Sequence, residues 1–322
     1  METDVRYLIT LAAGLLAAAA IFAFDLKRKR IRSVLVFPGF AAGIAGALIL
    51  GKAGFLLFHT HYFTLYGAGC LFRASPDEFS FVCACGGFVL GLWLVCRAAK
   101  VPGRKAMNCF AVSGCVLAAF AKFAEVFAGD LALVELYTFG MEELTAESPL
   151  AFFPLAIRDD WGQVMLSAST AEALWTLLCV PAACLIRKKG GSAFAFCAFT
   201  LCACHFFIDT VKIVSIVFYY VHVEQALCAL VMLALLARQA RTCGGRAAAV
   251  LIPAVLCVAV NGLTQYLLDK PSTFAWMMSE EAFGWLNDHL APFCYTVMLC
   301  TALGLLALGH FQYRKKTDRG ME

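Results

Sequence analysis

Apolar residues along this chain neither alternate nor fall into narrow stripes; they run in blocks of about 18 residues or more, separated by short polar stretches. A helix rises about 1.5 Å per residue, so a block of that length crosses the roughly 30 Å hydrocarbon core of a bilayer. The pattern predicts spans near 5–24, 34–58, 79–96, 107–127, 168–186, 193–220, 223–237, 247–268 and 290–310, the seventh of them short. Barrel strands would alternate apolar and polar over about ten residues, and these segments are continuously apolar. The expected fold is all-α: a polytopic helical membrane bundle with about nine transmembrane helices.

Charge placement gives the bundle a direction. Lys and Arg concentrate behind the odd-numbered spans: Lys27, Arg28, Lys29, Arg30 and Arg32; Arg97, Lys100, Arg104 and Lys105; Arg187, Lys188 and Lys189; Arg238, Arg241 and Arg246; Arg314, Lys315 and Lys316. The intervening loops are acidic or nearly neutral, with Glu142, Glu143, Glu147, Asp159 and Asp160 after the fourth span and Asp269, Glu280, Glu281 and Asp288 after the eighth. Basic loops stay cytoplasmic, so the amino terminus is expected outside and the carboxyl terminus inside a bacterial-type cytoplasmic (inner) membrane. The first span carries its basic cluster behind it and shows no small-residue cleavage site, which reads as a retained helix.

Composition agrees: 62% of residues are hydrophobic and 15% charged, against about a quarter charged in soluble domains. The net charge of +4 reflects sidedness and makes no case for nucleic acid. Most of the sixteen cysteines lie inside spans, where Cys behaves as a small hydrophobe. Cys83 with Cys85, and Cys202 with Cys204 beside His205, are spaced two apart and so point to different helix faces. No metal or cofactor is assigned, and His59 and His61 read as interfacial polar residues. The loop 128–167 carries Phe152-Phe153-Pro154-Leu155 and Trp161 among acids, the pattern of an amphipathic segment at the membrane interface acting as a lid or an anchor. Phe274, Trp276, Phe283 and Trp285 in 269–289 fit an aromatic belt.

Ionisable groups inside spans cost about 2.5–3.5 kcal/mol each and are functional candidates by default. They are Lys52 in span two, Lys122 and Glu125 in span four with Asp130 at its end, Glu172 in span five, and His205, Asp209 and Lys212 in span six. Two readings stand side by side. Lys122 can neutralise Glu125, three residues on, and Glu172 across helices. Alternatively, Lys52, Lys122 and Lys212 form a cationic pocket that needs an anion such as a phospholipid phosphate.

The order of these features resembles the prolipoprotein diacylglyceryl transferase family over roughly residues 5–240. Val5-Arg6-Tyr7-Leu8 stands where the family opens its first helix with an Arg-Trp-Tyr-like start. Gly51-Lys52-Ala53-Gly54-Phe55 is similar to a Gly-x-Arg before aromatics. Phe79-Ser80-Phe81, followed by Cys85-Gly86-Gly87-Phe88-Val89-Leu90-Gly91, looks like Ser-Phe-His-Gly-Gly-Leu-Ile-Gly. The signature Gly-Arg-x-x-Asn-Phe-x-Asn-Gly-Glu is similar to 121–130, with Lys122 for Arg and Asp130 for Glu. The stretch ending in Tyr-Glu resembles 165–172, ending in Glu172, and a later helix is echoed by His205, Phe206, Asp209 and Lys212, then Gln225.

The resemblance implies a seven-helix domain over 1–240 with two further helices over 241–322. It implies transfer of a diacylglyceryl group from phosphatidylglycerol to the cysteine thiol of a preprolipoprotein signal peptide. Lys52, Lys122 and Lys212 would hold phosphate; Glu125, Asp130 or Glu172 would be the base; Tyr7, Gly86, Gly87, His205 and Asp209 would line the substrate. The sequence departs from the family where Cys85 replaces the motif histidine, Met165 replaces an arginine, and Glu125 and Ala128 replace asparagines. Arg158 is a candidate substitute for the missing arginine. A non-catalytic relative that binds phospholipid or lipoprotein in the same cavity is the alternative.

Overall fold

The computed structural model describes residues 4–73, 75–133, 148–158, 164–212, 215–218, 221–242, 247–270 and 279–319. Among the described residues, nine helices are long and apolar enough to cross a membrane. They are α1 (Val5–Arg28), α2 (Val36–Phe58), α4 (Phe81–Ala98), α5 (Gly103–Glu125), α6 (Ala168–Lys188), α7 (Ala193–Val211), α8 (Val223–Thr242), α9 (Ala247–Asp269) and α10 (Glu280–Arg319), with a short α3 (His61–Tyr66) after α2. The protein is a multi-pass, all-α membrane bundle, as the block pattern predicts. Glu142, Glu143, Glu147, Asp159, Asp160, Trp161, Arg246, Phe274 and Trp276 lie outside the described residues, as do the side chains of Asp130, Asp269, Asp288, Arg314, Lys315 and Lys316.

Three boundaries differ from the sequence expectation. The sixth span was expected to reach 220, but α7 ends at Val211, and β3 (Val217–Phe218) pairs antiparallel with β4 (Val221–His222). Val211, Ile216, Val217 and Val221 are β-branched and favour extended chain once the helix is left. The seventh span is not short: α8 has 20 residues, because the helix continues through Arg238 and Arg241, both exposed, and long basic side chains can extend a span while keeping their heads in water. The last helix runs 40 residues, beyond 290–310 at both ends.

The chain divides into two compact units, one of 1–133 with 167–198 and the other of 134–166 with 199–322. The division falls within α7.

In the first unit α1 packs on α5, α5 on α6, and α2 on α4. Lipid gives no hydrophobic drive between helices, so close backbone approach through small residues matters most. At the α2–α4 crossing, a Cβ on Gly87 would fall 2.1 Å from the Gly46 carbonyl oxygen, and one on Gly91 would fall 2.2 Å from that of Ala42. Beside this seam, Phe88 stacks on Phe110 at 5.5 Å between ring centres, while Phe40 meets Phe88 and Phe22 meets Phe110 edge-on at 5.3 and 5.8 Å. At the basic-loop end, Arg187 of α6 pairs with the buried Asp25 of α1.

In the second unit α9 packs on α8 and α10. Two three-residue strands, β1 (Ala156–Arg158) and β2 (Val164–Leu166), pair antiparallel with Ala156 opposite Leu166. Leu150, Phe152 and Phe153, just before β1, are exposed, as an interfacial segment requires.

The charge pattern makes a direct prediction about sidedness. With the exposed Cys85 and Cys300 replaced, a cysteine placed at Ser148 is expected to react with an impermeant thiol reagent added outside sealed cells, and one placed at Lys100 is not. The reverse pattern overturns the orientation.

Candidate functional site

Lys52, Lys122, Glu125 and Glu172 of the first unit lie toward the helix ends away from the basic loops. Lys122 occupies the last turn of α5, where residues three apart share a face. Its Nζ lies 2.9 Å from Glu125 Oε1 and 3.3 Å from Glu172 Oε2, and 3.7 Å from the centre of the Phe81 ring. Ser169 donates its hydroxyl to Glu125 Oε2 at 2.5 Å. Lys122, Ser169 and Glu172 are almost wholly buried; the Glu125 side chain keeps 11% of its surface exposed.

Helix starts place these groups. Ser167 caps α6 by accepting the Thr170 N–H and bridges in antiparallel fashion to Leu133, which carries Ser169 and Glu172 to the end of α5. Ser80 caps α4 by accepting the Cys83 N–H, and its own N–H donates to the Gly51 carbonyl at 3.0 Å. That bond ties the start of α4 to α2 and presents Phe81 to Lys122. Tyr7, in the first turns of α1, is half-buried within range of the charges on Glu125 and Lys122.

Lys52 belongs to a second group. Its Nζ lies 2.6 Å from Glu78 Oε2, and the Arg73 Nε lies 3.1 Å from Glu78 Oε1. The Phe55 and Phe79 rings flank Lys52 at 5.8 and 5.4 Å. Lys52 and Glu78 are buried, whereas Arg73 is 43% exposed and lies over the Tyr66 ring at 4.2 Å.

The second unit holds a separate polar network. His205 Nε2 lies 3.2 Å from Glu224 Oε2. His222 Nδ1 lies 3.5 Å from Asp209 Oδ2 and 3.2 Å from Ser215 Oγ, and its Nε2 lies 3.0 Å from the Gln265 amide nitrogen of α9. A proton on Nδ1 lets the ring donate on that side and accept from Gln265 on the other. The Gln225 amide donates to Thr210 Oγ1 at 2.5 Å. Ser215 and Asp209 approach the same ring nitrogen, so they do not form a Ser-His-Asp relay, which needs one partner on each nitrogen.

Three predicted residues, Lys122, Glu125 and Glu172, thus come together, with Tyr7 within range of their charges, while Lys52 sits with Glu78 and Arg73. His205, Asp209 and Lys212 are buried in the second unit. Asp130 lies in the turn Gly129–Ala132, its side chain outside the described residues. Gly87 packs against Gly46, whereas nothing lies within 4 Å of a Cβ on Gly86. Arg158 is exposed on β1. Lys52 and Lys122 each have carboxylate partners in the same unit, which for Lys122 are the two that the ion-pairing reading named.

Sequence reasoning missed Glu78, Arg73, Ser169, His222, Glu224 and Gln265. One signal was available for Glu78: a lysine inside a span demands a counter-charge, and the loop after α2 offers Asp77 and Glu78. No group of three or more His, Cys, Asp or Glu among the described residues is placed to hold a metal ion, and every cysteine among them is a free thiol. No family model matches the chain, and no curated protein and no solved structure matches it.

Proposed function

We propose that this protein is a divergent diacylglyceryl transferase of a bacterial cytoplasmic membrane. It moves a diacylglyceryl group from a glycerophospholipid, phosphatidylglycerol in the family it resembles, to a cysteine thiol of a lipoprotein precursor. One observation carries this reading: the stretches that resemble three of the family's motifs, around Phe81, Lys122 and Glu172, supply side chains to one buried cluster, with Tyr7 of a fourth within range of its charges. In the reaction a glutamate of the cluster takes the thiol proton, since only the thiolate attacks well. The C–S bond forms as the glycerol C–O bond breaks, and glycerol phosphate leaves with the bonding pair. Cations near the leaving phosphate stabilise it, and exclusion of water strengthens that effect. Two carboxylates around Lys122 give a base that needs no histidine.

The second reading, a non-catalytic protein that binds phospholipid or lipoprotein at the same place, is favoured by Lys122 itself, which is engaged by two glutamates. Complementation separates the two. Expressed in cells depleted of their own diacylglyceryl transferase, the chain is expected to give a reporter lipoprotein the mass of a thioether-linked diacylglyceryl adduct. That adduct should be lost in Glu172→Gln. No adduct from a correctly inserted protein overturns the transferase reading for this acceptor and supports the binding one.

A further inference from the structure

The second unit brings a serine, a histidine and an amide into line. The hairpin of β3 and β4 sets the first two: Val217 pairs with His222, and the Val223 N–H donates to the Ile216 carbonyl at 2.8 Å. Ser215, just before β3, therefore lies across from His222, with its Oγ 3.2 Å from Nδ1. On the other side of the ring, Nε2 lies 3.0 Å from the side-chain amide of Gln265 in α9. Each ring nitrogen thus has its own neighbour, the arrangement of a nucleophile, a base and a group that orients the base.

The two ends of a side-chain amide are interchangeable in placement. With the Gln265 oxygen turned to the ring, Nε2 carries the proton and donates to it, and Nδ1 offers its lone pair to the Ser215 hydroxyl. That is the tautomer a base needs, and an amide fills the third place in some nucleophile–histidine relays. Asp209 Oδ2, 3.5 Å from Nδ1, faces the point where the proton arrives once serine gives it up, so it stabilises the imidazolium. His222, Asp209 and Gln265 are buried, whereas Ser215 is half-buried and Val217, Phe218 and Val221 beside it are exposed.

We infer that Ser215 is the nucleophile of a second catalytic site, one that takes carboxylic esters of lipids. Its Oγ bonds to the ester carbonyl carbon as His222 Nδ1 takes the hydroxyl proton. The ester C–O bond then breaks, and the alcohol leaves with that proton. Water attacks the acyl-serine, gives a proton to His222, and releases the fatty acid as Ser215 recovers its hydroxyl. The surroundings favour lipid: the hairpin joins the ends of α7 and α8 that lie away from the basic loops, and apolar side chains exposed there suit the membrane surface. This chemistry uses none of the residues around Lys122 and is separate from the transfer proposed for them.

The test is labelling of the full-length protein in nanodiscs with a fluorophosphonate bearing a long alkyl chain, which exchanges its fluoride for an activated serine oxygen, followed by peptide mass mapping. An adduct is expected on Ser215 and none at that position in Ser215→Ala, which removes one oxygen atom at a half-buried position. His222→Gln is expected to slow labelling by about 10²-fold or more, as loss of a general base does. Gln265→Glu, which can only accept from Nε2, is expected to keep the adduct, and Gln265→Leu to lose most of it; if Gln265 served packing alone, that order would reverse. Hydrolysis of a long-chain p-nitrophenyl ester should follow the same series. No adduct on Ser215, labelling of His222→Gln as fast as that of the unaltered protein, or faster turnover of an acetyl than of a long-chain ester overturns the inference.

Discussion

Lys122→Met is expected to destabilise the folded protein by about 3–5 kcal/mol, the cost of stranding buried carboxylates after their cation is removed. Glu125 and Glu172 both turn to this one ammonium, and methionine matches its length without its charge. Adding Glu125→Gln and Glu172→Gln to Lys122→Met is expected to recover most of the loss, because the neutral amides no longer need a counter-ion. Unfolding can be followed with a thiol-reactive fluorophore, since many of the free cysteines are buried and react only when the helices part. If Lys122→Met melts with the unaltered protein, the cluster does not hold α5 to α6 and the electrostatic account is wrong.

Gly87→Val is expected to be as damaging by a different route. An added Cβ would meet the Gly46 carbonyl oxygen at 2.1 Å, a backbone atom that no side-chain rotation can move aside. Overpacking typically costs about 1–3 kcal/mol, and here it has to be absorbed by separating α2 from α4. Gly86→Ala is the control: the site is open, and alanine is the better helix former by about 1 kcal/mol. The same fluorophore assay should show a lower melting temperature for Gly87→Val and an equal or higher one for Gly86→Ala. Equal melting of Gly87→Val and the unaltered protein would return Gly87 to the list of substrate contacts.

The helical architecture was legible because a bilayer imposes length and continuous apolarity on each span, and nothing else in the chain competes with that signal. Its failures were local. The seventh span looked short because Arg238 and Arg241 read as loop, although long basic side chains continue a helix while keeping their heads in water. The sixth looked long because the β-branched residues around Val217 are as apolar as the helix before them, and hydropathy does not distinguish the two conformations.

The site was legible only in part, and the division has a physical cause. Glu125 lies three residues after Lys122, so helix periodicity alone puts them together. Glu172 sits in the next span and was identified because a carboxylate there is costly. Glu78 escaped because it belongs to a loop by sequence, and only the fold shows that its side chain turns back to Lys52. Ser169 carries no charge and gave no signal, and Phe81 stood out only through the motif it resembles. His222 sits within a run of apolar and aromatic residues, and its partner Gln265 follows 43 positions later, a pairing no local pattern contains.

That last bond bears on how the chain can be divided. Gln265 of α9 reaches back to a histidine that precedes α8, and the compact unit containing both takes in the chain from Phe199, within α7, onward. A protein ending near residue 240 would bring His205, Asp209, Lys212, His222 and Glu224 into lipid without the helix that hydrogen-bonds the second histidine. A buried polar group left without its partner is costly, so removal of the final two helices is expected to destabilise the unit they complete rather than leave a smaller working machine.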